Sequence, residues 1–376
     1  MRFIATSDWQ LGMTAHYLDD DARPRYRQAR FDAVRHIGEL AREREAAFVV
    51  VAGDIFESNQ LDRRVVSRTF EALRDYPCPV VLVPGNHDPL DASSIYDAPS
   101  FVDRRPAHVH VLRDAAPFAV VEGAQVVGAP WRSKRPLTDL MGEACAQLAP
   151  AEDGVVRVLV GHGAVSTLSP DRDNPAVIDV PALSRAIDDG KIHVAIVGDR
   201  HSTTEVAPGI WYPGTPEVTD RTETEPGNAL VIDVVPDEPP RVEPVHVGTW
   251  AFGVLEAELA GPDDVLRLAE RLDAMDDKAR TALWLVLRGT LSTADYAELE
   301  RVIEERAELF AKLAHWERHH DVAVLPADGD FSDLGLTGFA QSALQELAGV
   351  AAGDGDEART AQDALALLYR LAGGSR

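Results

Sequence analysis

The sequence predicts an α/β fold built on a mainly parallel inner sheet, and three observations predict it. Five short runs rich in valine and isoleucine read as buried strands. Stretches with helical apolar spacing fall between the first three runs, which gives the order β-α-β-α-β. Each of the five runs leads into a polar cluster, and the clusters together are rich in metal-binding side chains.

The first run, Arg2 to Thr6, leads into Asp8 and Gln10. Tyr26 to Glu45 follows with Phe31, Val34, Ile37, Leu40 and Ala41 at helical spacing. Phe48 to Ala52 is the second strand and ends on Gly53-Asp54. Leu61 to Arg74 repeats the helical pattern with Val65, Val66, Phe70 and Leu73, and Val80 to Val83 then runs into Gly85-Asn86-His87-Asp88. Val156 to Val160 precedes Gly161-His162-Gly163, and His193 to Val197 precedes Gly198-Asp199-Arg200-His201. Gln125 to Gly128, Ile210 to Tyr212 and Ala229 to Val234 lie closer together and suit a second sheet. The five polar ends are expected along one edge of a sheet, where side chains from separate strands converge.

This first domain is expected to span 1–235. The proline-rich segment Pro236 to Pro244 reads as the core of a linker over 236–249, because proline breaks helices and ladders. Phe252 to Leu259, Val265 to Met275, Leu283 to Leu291, Tyr296 to Leu313 and Val322 to Leu325 then read as β-α-β-α-β, a compact α+β module over 250–326. Two amphipathic helices are expected in 327–376: Leu336 to Val350, and Glu357 to Ala372 with its stripe of Leu365, Leu368, Tyr369 and Ala372. Such a stripe suits docking to another surface.

Composition narrows the class. With 376 residues, 45% of them hydrophobic, the chain can bury full cores in two or three domains. No apolar stretch approaches the ~18 residues that span a bilayer, and no signal-peptide pattern precedes the first strand; a cytoplasmic location is the expectation. Cys78 and Cys145 form no CxxC pair, so oxygen and imidazole must hold any metal. A net charge of -25 argues against an extended basic nucleic-acid surface, although bound divalent cations would reverse the sign locally.

Asp8 and Gln10, like Asp199 and His201, stand two apart at a strand end, so both members of each pair can point to the same side. A glycine before Asp54, Asn86, His162 and Asp199 is read as letting the chain turn sharply off the sheet. Carboxylates, amide oxygens and imidazoles form a mixed donor set suited to two divalent ions. Two ions ~3.5–4 Å apart would serve phosphoester cleavage. Taken singly, each cluster is also explained as a turn or a structural histidine; their order along the chain carries the metal reading.

With these residues in view, the chain resembles the calcineurin-like metallophosphoesterases. The stretches Thr6-Ser7-Asp8-Trp9-Gln10-Leu11-Gly12, Gly53-Asp54-Ile55-Phe56-Glu57 and Val83-Pro84-Gly85-Asn86-His87-Asp88 are closest to the SbcD-type DNA-repair nucleases. The resemblance covers 1–235 strongly and the remainder weakly. It implies a layered β-sandwich flanked by helices, a small capping domain and C-terminal helices that bind an SbcC-like coiled-coil ATPase. It further implies a homodimer and two metal ions. Asp8 and His201 would hold the first ion, Asp54 would bridge, and Asn86, His162 and Asp199 would hold the second. Gln10 also falls at a ligand position. His87 would orient the scissile phosphate or protonate the leaving oxygen, with Asp88 fixing the imidazole.

Gln10 and Asp199 stand where the family pattern has histidines. A third carboxylate makes the donor set harder and points to Mn²⁺, with Mg²⁺ as the other candidate. Trp131, Arg132, Lys134 and Arg135 form a local basic group that either contacts DNA phosphate and stacks a base or is a solvated turn with one packed tryptophan. Arg63, Arg64 and Arg68 read as solvated helix charge, and Trp316, Arg318, His319 and His320 as structural or rim residues and not metal ligands. The function expected is a metal-dependent DNA exo- or endonuclease acting in repair and recombination. Hydrolysis of a small phosphodiester or phosphoprotein and a catalytically weakened scaffold are the alternatives.

Overall fold

A computed structural model describes residues 1–171, 173–236, 238–319, 321–325, 336–351, 353, 357–358, 360–361, 364–365 and 367–368. It divides into two compact units, Met1–Trp250 and Ala251–Arg376.

In the first unit the chain runs β1 (Arg2–Thr6), α1 (Ala22–Glu43), β2 (Val49–Ala52), α2 (Arg63–Leu73), β3 (Val80–Val83), α3 (Pro99–Val102) and β4 (Val109–Val111). It continues through β5 (Phe118–Val121), β6 (Ala124–Ala129), α4 (Leu140–Gln147), β7 (Val156–His162), α5 (Val180–Asp188), β8 (Val194–Gly198), β9 (Thr204–Ala207), β10 (Ile210–Tyr212), β11 (Asn228–Asp233) and β12 (Arg241–His246). Two 6-stranded sheets result, ordered β12-β11-β1-β2-β3-β4 and β5-β6-β7-β8-β10-β9. Strands β1 to β4 are mutually parallel, as are β6, β7 and β8, while β11 joins β1 antiparallel.

Alternation along each strand separates the layers. Phe3, Ala5, Val50, Ala52, Val81 and Val83 face Val126, Val158, Val160, Val194 and Ile196 between the sheets. The intervening Ile4, Val49, Val51 and Leu82 pack outward against Phe31, Val34, Ile37, Val66, Phe70 and Leu73 of α1 and α2. On the other side Leu159, Ala195 and Val197 meet Met141, Ala144 and Leu183 of α4 and α5. The unit is therefore a helix-sheet-sheet-helix sandwich, the expected metallophosphoesterase-type fold. Fully burying one such valine contributes roughly 1.5–3 kcal/mol, so the layers are fixed by hydrophobic alternation more than by any single bond. Helix starts add local definition: the Asp62 carboxylate accepts from the Arg64 N–H at the head of α2, a cap worth ~1 kcal/mol.

Three expectations change. The strands bearing the five clusters belong to both sheets, β1 to β3 in one and β7 and β8 in the other, so the polar ends gather at one end of a sandwich and not along one sheet edge. The segment read as linker contains β12, which pairs with β11 across Arg241–His246. Pro244 is tolerated there because the strand lies at the edge of its sheet. The second unit holds one more strand than expected. It runs β13 (Ala251–Leu259), α6 (Pro262–Asp273), β14 (Thr281–Ser292), α7 (Thr293–Ala307), β15 (Lys312–His315), β16 (Asp321–Leu325) and α8 (Phe339–Ala351). β13, β15 and β16 all pair with β14 in parallel around a core of Leu268, Leu272, Leu285, Leu287, Leu299 and Ile303. Of the second C-terminal helix expected over 357–372, only 357–358, 360–361, 364–365 and 367–368 are among the described residues, and His320 lies outside them. Among the described residues, no helix is long and apolar enough to cross a membrane.

Candidate metal centre

The loops after β1 and β2 are laced together beyond the strand ends. Asp8 N–H donates to Gly53 O (3.1 Å), Gln10 N–H to Asp54 O (2.8 Å) and Leu11 N–H to Ile55 O (3.0 Å). This ladder sets Asp8 and Asp54 beside each other, both essentially buried. From the second sheet, His162 ends β7, and its Nδ1 reaches back to Ala52 O at 3.0 Å. Asp199 follows β8, and its N–H donates to both carboxylate oxygens of Asp8 at 3.1 and 3.2 Å. The centre is thus also the point where the two sheets are directly bonded.

Asp8, Asp54 and His162 offer ligand atoms within 4.8 Å of one another. Around them, His162 Nε2 lies 3.5 Å from Asp54 Oδ2, 3.7 Å from Asp199 Oδ1 and 2.6 Å from Asn86 Oδ1. His201 Nε2 lies 3.9 Å from Asp8 Oδ1 and 3.3 Å from Gln10 Nε2. All seven residues expected as ligands are therefore brought into one cluster, Gln10 through its contact with His201. Burial pushes the Asp54 carboxyl up from its ordinary pKa, with Asp88 and Asp8 adding to the rise and His162 opposing it. Burial opposes charge on His162 as well, but the carboxylates of Asp54, Asp8 and Asp199 outweigh it and push the imidazole up to about 9. Crowded anionic oxygens and inward-turned imidazole nitrogens fit divalent cations, which would relieve that crowding.

Three histidines share one device. A carbonyl can only accept, so the His162 Nδ1 facing Ala52 O carries a hydrogen and Nε2 is the nitrogen turned to the cluster, where a bound cation would displace the proton that the carboxylates and Asn86 Oδ1 hold there. His87 Nδ1 faces Glu57 O at 3.0 Å in the same way. His201 Nδ1 faces Glu223 Oε1 at 2.9 Å and Thr219 Oγ1 at 2.6 Å. Glu223 is itself held, accepting from Thr219 N–H (2.9 Å) and Asp220 N–H (3.1 Å). Partners of this kind orient a ligand and raise its basicity. Neither Glu223 nor Thr219 is indicated by the sequence: they lie in the polar loop Thr219-Asp220-Arg221-Thr222-Glu223, which carries no strand-end signal.

Asp88 takes a different place from the one expected. Its carboxylate accepts from Gly85 N–H (2.8 Å), Phe56 N–H (3.0 Å) and Tyr96 Oη (2.6 Å), fully buried and bonded away from the His87 ring. Glu57 O fixes the His87 imidazole instead, because a carboxylate drawn into three buried donors has no geometry left for its neighbour. Asp88 holds the loop that carries Asn86 and His87. Trp131 also braces the centre: its indole N–H donates to His162 O at 2.6 Å and its ring stands edge-on to His162 at 5.9 Å. Arg132, Lys134 and Arg135 beside it are exposed.

The glycines act by clearance more than by turning. Of those preceding Asp54, Asn86, His162 and Asp199, only Gly53 has positive φ (83°). A Cβ on Gly198 would stand 1.7 Å from Ala52 O, which closes the approach of β8 to β2 to any other residue. The left-handed conformations fall on the candidate ligands themselves. Asp8 (53°), Gln10 (41°), Asp54 (52°) and Asp199 (97°) are four of the seven non-glycine positive-φ positions among the described residues. Such conformations gather at functional sites.

A family model described as calcineurin-like phosphoesterase matches residues 1–203, which include every one of these candidate ligands. No curated protein matches the chain. Among solved structures it is similar to TT1561 of Thermus thermophilus, at 12% identity over 65% of this chain and 98% of that one with a TM-score of 0.39. It is also similar to a dimetal phosphatase from Danio rerio, at 14% identity over 66% of this chain and 96% of that one with a TM-score of 0.40. A third is the purple acid phosphatase PPD1 from yellow lupin seeds, at 10% identity over 66% and 51% with a TM-score of 0.38.

Proposed function

The chain belongs to the calcineurin-like phosphoesterase family, metal-dependent hydrolases of phosphoester bonds, and from that premise we propose that it is a DNA nuclease that cleaves phosphodiesters with Mn²⁺. The observation that carries the hydrolytic part is the position of His87: its side chain is 35% exposed, and its Nε2 stands 3.8 Å from Asp54 Oδ2 at the lip of the cluster. The nuclease part is supported by the wording of the Asp8, Asp54 and Asn86 segments, closest to SbcD-type nucleases, and by a second folded unit that a small substrate does not require.

In this reading Asp8, Gln10 and His201 would hold one ion and Asn86, His162 and Asp199 the other, with Asp54 available to both. The ions, when bound, supply a water nucleophile at neutral pH and stabilise the entering and leaving oxygens. His87 keeps its Nδ1–H on Glu57 O and presents Nε2 outward, where a proton can be held for the leaving oxygen. Glu223 and Thr219 keep the His201 ring aimed inward. The His162 and Asp199 bonds to the first sheet hold the two halves of the centre at fixed separation. Asp199 in place of a histidine hardens the donor set toward Mn²⁺.

An SbcC-like coiled-coil ATPase is the partner in this proposal, docking on the C-terminal segment. There Phe339 is 89% and Leu367 48% exposed. An apolar groove of about 530 Å³ is lined by Ala343, Leu347, Val350, Ala361 and Ala364. The test is incubation with Mn²⁺ and linear or hairpin DNA alongside a generic phosphodiester. DNA cleavage that His87→Ala abolishes is expected. Turnover of the generic ester alone sinks the nuclease reading in favour of a small-substrate phosphoesterase. No turnover of either, even with the ATPase present, favours a scaffold in which Gln10 has weakened the centre. Removing 336–376 is expected to abolish ATPase co-purification and leave metal binding intact; a truncated chain that still co-purifies refutes that docking site.

A further inference from the structure

Charge is segregated in this chain. Acidic residues outnumber basic ones 62 to 37, yet α1 and α2 together carry nine arginines against four acids. The two helices lie side by side on the outer face of the first sheet, where Phe31 and Val34 of α1 share a core with Val66 and Phe70 of α2. Arg27, Arg63, Arg64, Arg68 and Arg104 are exposed, and among the described residues none of them has a carboxylate partner. Asp32 and Glu71 are taken by Arg35 and Arg74.

The geometry of the group is built. Arg68 lies across the seam between the helices, its guanidinium 4.0 Å from the centre of the Phe31 ring and donating to Gln28 Oε1. Arg104 is bonded through Ser67 Oγ (2.9 Å) to the same side of α2. Burial of its stem, with the charges of Arg27 and Arg35 beside it, holds the Arg68 guanidinium below its ordinary pKa. Cations gathered against their own repulsion, with free carboxylates abundant elsewhere in the chain, mark a surface completed by an external anion. The face also has a direction. The loop leaving Asp54 feeds straight into Arg63 and Arg64, so the cationic face begins at the metal end of the sheet and runs away from it along α2.

We propose that the arginine face of α1 and α2 is a docking track for the phosphate backbone of a nucleic acid whose scissile bond lies in the metal centre. It rests on the nuclease reading and places the sequence-independent contacts on Arg27, Arg63, Arg64, Arg68 and Arg104 instead of on the turn after Trp131. Arginine suits this role because its fork pairs with phosphate oxygens in two bonds at once.

The test uses the full Mn²⁺-loaded chain with His87→Ala, so that a labelled linear DNA duplex is bound but not consumed, and measures affinity across a salt series. Adding Arg27→Gln, Arg64→Gln and Arg68→Gln is expected to weaken binding and to lower the log-log salt slope by about 2.7, at ~0.9 for each phosphate no longer neutralised. With His87 intact, the same three changes leave turnover of a generic phosphodiester as it was. Should the triple variant not fold, Arg63→Gln with Arg64→Gln, both at unpaired exposed positions, is expected to lower the slope by about 1.8. An unchanged slope in a protein whose parent cuts DNA overturns the track and leaves the nuclease standing. A parent that turns over the generic ester but neither binds nor cuts DNA overturns both. Binding to phosphatidylserine vesicles that needs these arginines, with DNA affinity unaffected by them, overturns the track in favour of a membrane.

Discussion

Replacing Glu223 by glutamine is expected to weaken divalent-metal binding although Glu223 is no ligand. In the native loop its carboxylate accepts from His201 Nδ1, from Thr219 N–H and from Asp220 N–H, and also from Thr219 Oγ1. A glutamine has one acceptor oxygen for these donors. If that oxygen stays on His201, its NH₂ group meets the Thr219 N–H and a largely buried donor is left without a partner, at roughly 1–3 kcal/mol. If the amide flips, its NH₂ group faces His201 Nδ1, the ring hydrogen moves to Nε2, and the nitrogen aimed at the cluster no longer has a lone pair. Either way the Mn²⁺ affinity measured by titration calorimetry is expected to fall by ~10- to 100-fold, about 1.4–2.7 kcal/mol. Nitrogen-15 chemical shifts of His201 in the metal-free protein read the tautomer directly and separate orientation from general loosening. Native-like affinity in Glu223→Gln, together with an Nδ1–H tautomer still fully populated in Glu223→Ala, would refute the role.

Other expectations concern separate groups. His87→Ala should lower kcat on whichever phosphoester is turned over by ~10²- to 10⁴-fold while calorimetry still shows metal binding, as for loss of a general acid; a loss of metal stoichiometry would count against that role. Asp88→Ala strands three buried donors at ~1–3 kcal/mol each and should lower the melting temperature far more than His87→Ala does; equal melting temperatures would contradict the bracing role. Burial pushes the thiols of Cys78 and Cys145 up to about 11. Both should therefore resist a thiol reagent at mildly alkaline pH in the native protein and react once it is denatured; a fast native reaction at either would refute this.

What is legible in the sequence follows the physics of each element. Arg2–Thr6, Val80–Val83 and Ile210–Tyr212 fall where expected because an apolar run bounded by polar residues marks a strand that nothing else competes for. The strand Lys312–His315 is missed, its first two residues read as the end of the expected helix Tyr296 to Leu313, since Lys-Leu-Ala-His carries no strand pattern and pairs because β14 offers an edge. Arg241–His246 is hidden by Pro244 and the prolines just before it, which exclude a central strand and allow an edge one. At the site, ligands adjacent to strand ends are readable because strands aim them. Glu223 lies 22 residues past His201 and is supplied by a loop whose path only the fold determines. Asp88 misleads for a related reason: adjacency in sequence suggests a bond to His87, whereas Phe56 and Tyr96 arrive from elsewhere and claim the carboxylate.

The left-handed backbone at Asp8, Asp54 and Asp199 restricts what can stand there in a way that ligation alone does not. Aspartate and asparagine adopt that conformation at little cost, while branched and bulky residues do not. Asn differs from Asp by one charge and almost nothing in shape. At three positions, then, one unit of charge can be removed with no new demand on backbone conformation, provided the amide oxygen takes over the N–H bonds that Asp8 and Asp54 accept. Charge at the centre and the path of its backbone are in this respect separately adjustable: among side chains that keep an oxygen there, aspartate and asparagine are the two that suit the conformation.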